Sequence, residues 1–188
     1  LLLVGLAAGM AQAQPKPGIG LLVKAEEMPA LREKVKSPPW STMLAGIQKA
    51  ADDGMRTWAH QRETIVPQLD KLIDLSVEHL RSVPADAATR KAGEDFAKLA
   101  NRAMCPAAFM YLVTGDRKYG EFAQDILMNM GRVNRWGWFP WDGATMPQIH
   151  SGVYFRNAAF TLDFIWDALT PEQRKAARDI IAEKAVEP

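Results

Sequence analysis

The 188-residue chain has 23 basic and 22 acidic side chains, is 48% apolar and contains a single cysteine. That length and apolar fraction suffice for one domain with a real core and exclude a disordered chain. The net charge of +1 is spread evenly, which excludes a basic stripe for nucleic acid, and the lone Cys105 excludes an intrachain disulfide and a multi-thiolate metal site.

Leu1 to Met10 form a short run of apolar residues, followed by Ala11-Gln12-Ala13 and the breakers Pro15, Pro17 and Gly18. An apolar run followed by an A-x-A site reads as the back half of a secretory signal peptide. The run is too short for a membrane span. Residues 1–13 are therefore assigned to a partial signal peptide, 14–24 to a linker and 25–188 to a helical domain, and the predicted location is the periplasm or the exterior. The sequence opens without methionine or a basic leader region and stops at Pro188 without a tail. It is expected to be the N-terminal portion of a longer protein.

From residue 25 onward no segment alternates apolar and polar residues over a strand length, and the pattern is helix after helix. "KAEEMPALREKVKS" places Met28, Leu31 and Val35 on one face, with Glu26 and Glu27 in its first turn. Pro38-Pro39 ends it, and "WSTMLAGIQKAAD" restarts a helix with Trp40, Met43, Leu44, Ile47 and Ala51 as its core stripe. A less regular stretch over 55–66 precedes another predicted helix beginning at Pro67, striped by Leu69, Leu72, Ile73, Ser76, Val77 and Leu80. The next runs from about Asp86 to Thr114, and Pro106 should kink or split it. Thr114-Gly115-Asp116 is a tight turn with Gly115 as a left-handed cap. "RKYGEFAQDILMNMG" follows as an amphipathic helix.

Next comes "WGWFPWDG" (136–143), a predicted loop that mixes three tryptophans and Phe139 with turn formers. A helix over about 147–168 is apolar nearly all round in its second half, so it should be buried on most sides. Thr170, Pro171 and Gln173 form a capping box with proline at the first position, opening an amphipathic closing helix. A buried helix followed by a short turn and an amphipathic one is an α-hairpin. The lack of a fixed repeat period favours a ring of divergent hairpins over a regular solenoid.

Three passages share their order with one known group. "GIGLLVKAEEMPALREKVKSPPWSTMLAGI", "AFMYLVTGDRKYGEFAQDIL" and "FRNAAFTLDFIWDALTPEQRKAARDIIAEKAVEP" resemble the opening and two hairpins of heparinase II/III-like and alginate-lyase-like proteins. The resemblance implies an all-α fold, an incomplete (α/α) toroid of helical hairpins. In the complete family protein a β-sandwich domain usually follows. It further implies a periplasmic or secreted polysaccharide lyase acting on uronate-containing glycans. The family's Asn-His or Asn-rich motif and later Tyr have no match here, so the main catalytic residues are expected beyond Pro188, as is the zinc site of some members' later domain. No cofactor is expected.

Such a lyase works by β-elimination, which needs a group to neutralise the uronate carboxylate, a base for the adjacent proton and an acid for the leaving oxygen. Gln148, His150, Ser151, Tyr154, Arg156 and Asn157 cluster at the start of the inner helix, and His150 and Tyr154, four apart, share a face. The predicted substrate-binding set is Gln148, His150, Tyr154 and Arg156, together with Trp136, Trp138 and Trp141 as stacking platforms for sugar rings. One of these tryptophans is expected to be buried and at least one exposed. Trp40 and Trp58 are expected in the core, and His60 and His79 on the surface without metal-ligand spacing. Asp163 and Asp167 read as local structure, and Cys105 as a small buried residue.

The expected partner is an acidic polysaccharide or oligosaccharide. Nucleic acid is not expected, nor a membrane span once the signal is removed. Two other functions fit the same composition: a glycoside hydrolase on a similar toroid, using paired carboxylates, and a non-enzymatic periplasmic glycan-binding helical module. An open arc of hairpins would leave helix flanks uncovered, so self-association is expected.

Overall fold

The computed structural model describes residues 20–75, 86–141, 144–147 and 149–186. The predicted signal peptide, His79 and Gln148 lie outside the described residues, and the side chains of 138–150 are likewise outside them. A 3-10 turn (Ala25–Glu27) leads into α1 (Met28–Lys34). Then come α2 (Trp40–Leu69), α3 (Ala87–Arg102), α4 (Met104–Thr114) and α5 (Arg117–Met130). Two short strands, β1 (Trp138–Trp141) and β2 (Ala144–Pro147), precede α6 (Ile149–Phe164) and α7 (Pro171–Ile181). Among the described residues the fold is all-α apart from this hairpin. Among the described residues no helix is long and apolar enough to cross a membrane.

Helix α4 lies at the centre because its sequence, MCPAAFMYLVT, carries no charge. It packs against α1, α2, α3, α5 and α6, and Met104, Ala107, Ala108 and Leu112 are fully buried within that shell. Helices α4 and α6 lie against each other, and so do α5 and α7, while α4–α5 and α6–α7 are the two hairpins. The apolar members therefore form one layer and the amphipathic members the other, as amphipathicity requires. The turn chemistry follows the sequence: Gly115 adopts φ 77°, and its amide donates to Tyr111 O at 2.8 Å. Gln173 N–H donates to Thr170 Oγ1 at 3.2 Å, and Gln173 Oε1 accepts from Thr170 N–H at 2.8 Å.

Four expectations change. Helix α2 runs unbroken for 30 residues, and Pro67 sits inside its last turn. The predicted start of a new helix at Pro67 is therefore the end of α2. Residues 70–75 are irregular, with Leu72 and Leu75 buried and Ile73 exposed. Trp40 is not core: it is exposed, and the Lys34 ammonium sits 4.1 Å over its ring. Met43 is 57% exposed, so the first turns of α2 present an open apolar stripe. Finally, the aromatic loop contains an antiparallel pairing, with Trp138 opposite Pro147 and Trp141 opposite Ala144.

The predicted split near Pro106 falls at Ala103, between α3 and α4. Pro106 has no N–H to give the carbonyl four residues back, and its ring crowds that carbonyl. Helix α2 crosses this junction at Gly54, where a Cβ would stand 2.2 Å from Ala103 Cβ. Only a glycine allows so close an approach.

Candidate functional site

The chain between α5 and β1 is fixed from below. Trp136 is fully buried, and its indole Nε1–H donates to Met130 O at 3.0 Å. Gly137, at φ 87°, donates its amide to the buried Asp74 Oδ1 at 2.9 Å. Leu75 N–H donates to Arg135 O at 3.0 Å, and Asn134 N–H to Leu72 O at 3.2 Å. Tyr154 of α6 is also fully buried, and its hydroxyl donates to Leu75 O at 2.8 Å. The segment over 72–75 is thereby stitched to both the aromatic loop and α6. Buried backbone groups need such partners.

These positions correct two assignments. Trp136 and Tyr154 were expected to meet substrate, yet neither offers a face to solvent. Their polar atoms are spent on backbone carbonyls, and their rings fill the core. Trp138 and Trp141 fall within β1, and His150 within the first turn of α6.

The remaining predicted residue, Arg156, is exposed and lies on a different face of α6 from Tyr154. Gly152, Phe155 and Arg156 recur at helical spacing on this open face, while Ser151, Tyr154 and Ala158 turn inward. A Cβ at Gly152 would meet nothing within 4 Å, so the surface there is unobstructed. Phe155 is 41% exposed. The Arg156 guanidinium forms no ion pair among the described residues; it donates only to Asn157 Oδ1, at 3.3 and 3.4 Å. Asn157 is buried and donates its Nδ2 to Asn101 O at 3.2 Å, which ties α6 to the end of α3. Burial pushes the nearby Cys105 thiol up to about 11, against the pull of the Arg156 charge, so this sulfur stays protonated and inert.

An exposed aromatic ring beside an uncompensated guanidinium can stack on an apolar ligand face and hold a carboxylate. Phe155 was missed in the sequence because an aromatic in an apolar helix reads as core. Its neighbours Gly152 and Arg156, on one helical face, were the available signal.

Asp163, Asp167 and Asp125 are each engaged. Asp163 is fully buried and accepts from the amides of Gly20 at 2.9 Å and Leu21 at 3.1 Å. Asp167 accepts from the Tyr111 hydroxyl at 3.4 Å. Burial first, and then the Asp167 charge, push that hydroxyl up to about 12. Asp125 accepts from Trp58 Nε1 at 2.7 Å and from Arg62 Nε at 2.7 Å. No group of three or more His, Cys, Asp or Glu side chains placed to hold a metal occurs among the described residues. No protein-family model matches the chain, and neither does any curated protein or solved structure.

Proposed function

We propose that this chain is the substrate-binding, N-terminal part of a polysaccharide lyase that cleaves uronate-containing glycans by β-elimination. In this reading the two hairpins continue into an (α/α) toroid, and the open face of α6 lies along the glycan path. The observation that carries the reading is exposed Phe155 next in sequence to an exposed Arg156 that has no acidic partner among the described residues. Uronate rings have an apolar C–H face and a carboxylate, the two features this pair complements. The order of the quoted passages, shared with heparinase II/III-like and alginate-lyase-like proteins, supports the same class. A hydrolase is less well supported, because Asp163 and Asp167 are held by the Gly20 and Leu21 amides and by Tyr111.

The test is calorimetric binding of a uronate tetrasaccharide to the protein and to its Phe155→Ala and Arg156→Gln variants. Each variant should weaken binding by about tenfold, the scale of one lost stacking or charge-assisted contact. Their melting temperatures should be unchanged, since both side chains are exposed. Unchanged affinity in both variants would remove α6 from the substrate path.

A further inference from the structure

Helices α2 and α3 pack side by side and leave a groove between them, lined by neither Phe155 nor Arg156. One part, of about 360 Å³, is lined by Gly54, Thr57 and Gln61 of α2 and by Asp95, Lys98 and Arg102 of α3. A second hollow of about 330 Å³ continues past His60 and Thr64. Gln61 and Asp95 line both, so the two form one trough. At about 1.5 Å rise per residue, the stretch of α2 from Ala50 to Thr64 gives it a length of about 20 Å.

Two groups in this trough lack a complement. Gln61 Oε1 is buried without a hydrogen-bond partner, and an orphaned acceptor is costly. Arg102 is exposed and has no ion pair among the described residues. The trough's acids are already neutralised, Asp95 by Lys91 and Lys98 and Asp53 by Lys49 and Arg56. Arg102 is therefore left over as a net positive site. A fitting ligand must bring a carboxylate, a hydrogen-bond donor and an extended shape.

The walls narrow the class. Both are α-helices whose backbone groups are used internally, so an extended peptide would find no main-chain edge to pair with. The apolar lining is mostly small (Ala50, Gly54, Ala88, Ala92, Ala103), with Leu99 and Ile65 its larger members, too few large side chains for the row of anchors an amphipathic helix needs. A chain of sugar rings needs neither. We propose that the α2–α3 trough is an accessory site for an acidic oligosaccharide, with Arg102 holding a carboxylate and Gln61 accepting from a ring hydroxyl. The proposal rests on the acidic-glycan substrate class argued above and adds a second site for it.

The experiment titrates tetragalacturonate, neutral maltotetraose and tetraglutamate into the protein and into Arg102→Gln, Arg102→Lys and Gln61→Leu variants, with thermal melts as the folding control. Arg102→Gln should weaken tetragalacturonate by about tenfold, as one charge-assisted bond implies, and leave maltotetraose unaffected. Arg102→Lys should recover most of the salt-sensitive part, and Gln61→Leu should weaken both saccharides. If Arg102→Gln and Gln61→Leu bind tetragalacturonate like the parent while a Phe155→Ala/Arg156→Gln double variant does not, the trough is refuted and the α6 site stands. If no variant and no saccharide gives a signal, both fail. Tetraglutamate binding as tightly as tetragalacturonate would overturn the saccharide assignment.

Discussion

Replacing Gly54 by alanine sets two effects against each other. In an exposed helix the change would stabilise by about 1 kcal/mol through helix propensity. Here the new Cβ would stand 2.2 Å from Ala103 Cβ and 3.6 Å from Ala103 Cα. Carbon atoms rest about 3.5–4.0 Å apart, so the methyl groups must separate by more than about 1 Å. Ala103 has no side-chain torsion with which to yield, and it sits at the α3–α4 junction. Helix α2 itself must shift, straining its packing on α3, α4 and α5. Overpacking of this kind costs about 1–3 kcal/mol, and the rigid neighbour puts this case at the upper end. After the propensity gain, the net loss is about 2 kcal/mol, which lowers Tm by roughly 4–8 °C in a chain of this size. Thermal and urea unfolding followed by circular dichroism measure it. Adding Ala103→Gly should recover much of the loss, because the clashing methyl is gone. A Gly54→Ala variant as stable as the parent, or more so, would refute the close crossing of α2 over Ala103.

Three further outcomes follow from the bonding. Tyr154→Phe should cost about 1–3 kcal/mol by orphaning Leu75 O, and it should leave glycan affinity unchanged; a loss of affinity without a loss of stability would return Tyr154 to the site. Asp163→Ala should free the segment at Gly20 and Leu21, so trypsin should cut after the exposed Lys24 faster than in the parent; equal cleavage rates would contradict the anchoring. Burial acts to raise the Asp125 carboxyl, but the bonds from Arg62 and Trp58 outweigh it and hold the group below the usual range. A depressed folded pKa means this stabilisation is present above the unfolded value of about 3.9 and is lost as pH falls through the folded one. Asp125→Asn should therefore be less stable than the parent at pH 7, with the gap closing in strong acid; a pH-independent gap would argue against the linkage.

Much of the helical order was legible because its signals are local. Gly115, Asp116, Thr170, Pro171 and Gln173 are cap and turn chemistry, and they cap and turn as their types require. The length of α2 was not legible: Pro67 reads as a start, and only the packing beneath Ile65 and Leu69 carries the helix past it. The β1–β2 pairing was missed because four-residue strands are too short for an alternation signal. The two residues linking them, Asp142-Gly143, are nonetheless a favoured hairpin pair. At the site, period alone separated neither Tyr154 nor Trp136 from a surface role. Each has a polar atom suited to a ligand, and each finds that partner inside, at Leu75 O and Met130 O. Arg156 is exposed, as its place on the face opposite the buried Tyr154 requires, and it has no ion pair among the described residues.

The proposed lyase chemistry on an acidic glycan leaves a distinct product. The most direct measurement expresses the complete reading frame that contains this chain and incubates the product with uronate polymers. Ultraviolet absorbance of the conjugated unsaturated uronate and the count of new reducing ends are followed together. The two should rise in step on a uronate polymer, and neither should rise on its neutral counterpart. New reducing ends without ultraviolet absorbance would establish hydrolysis instead and contradict the lyase assignment.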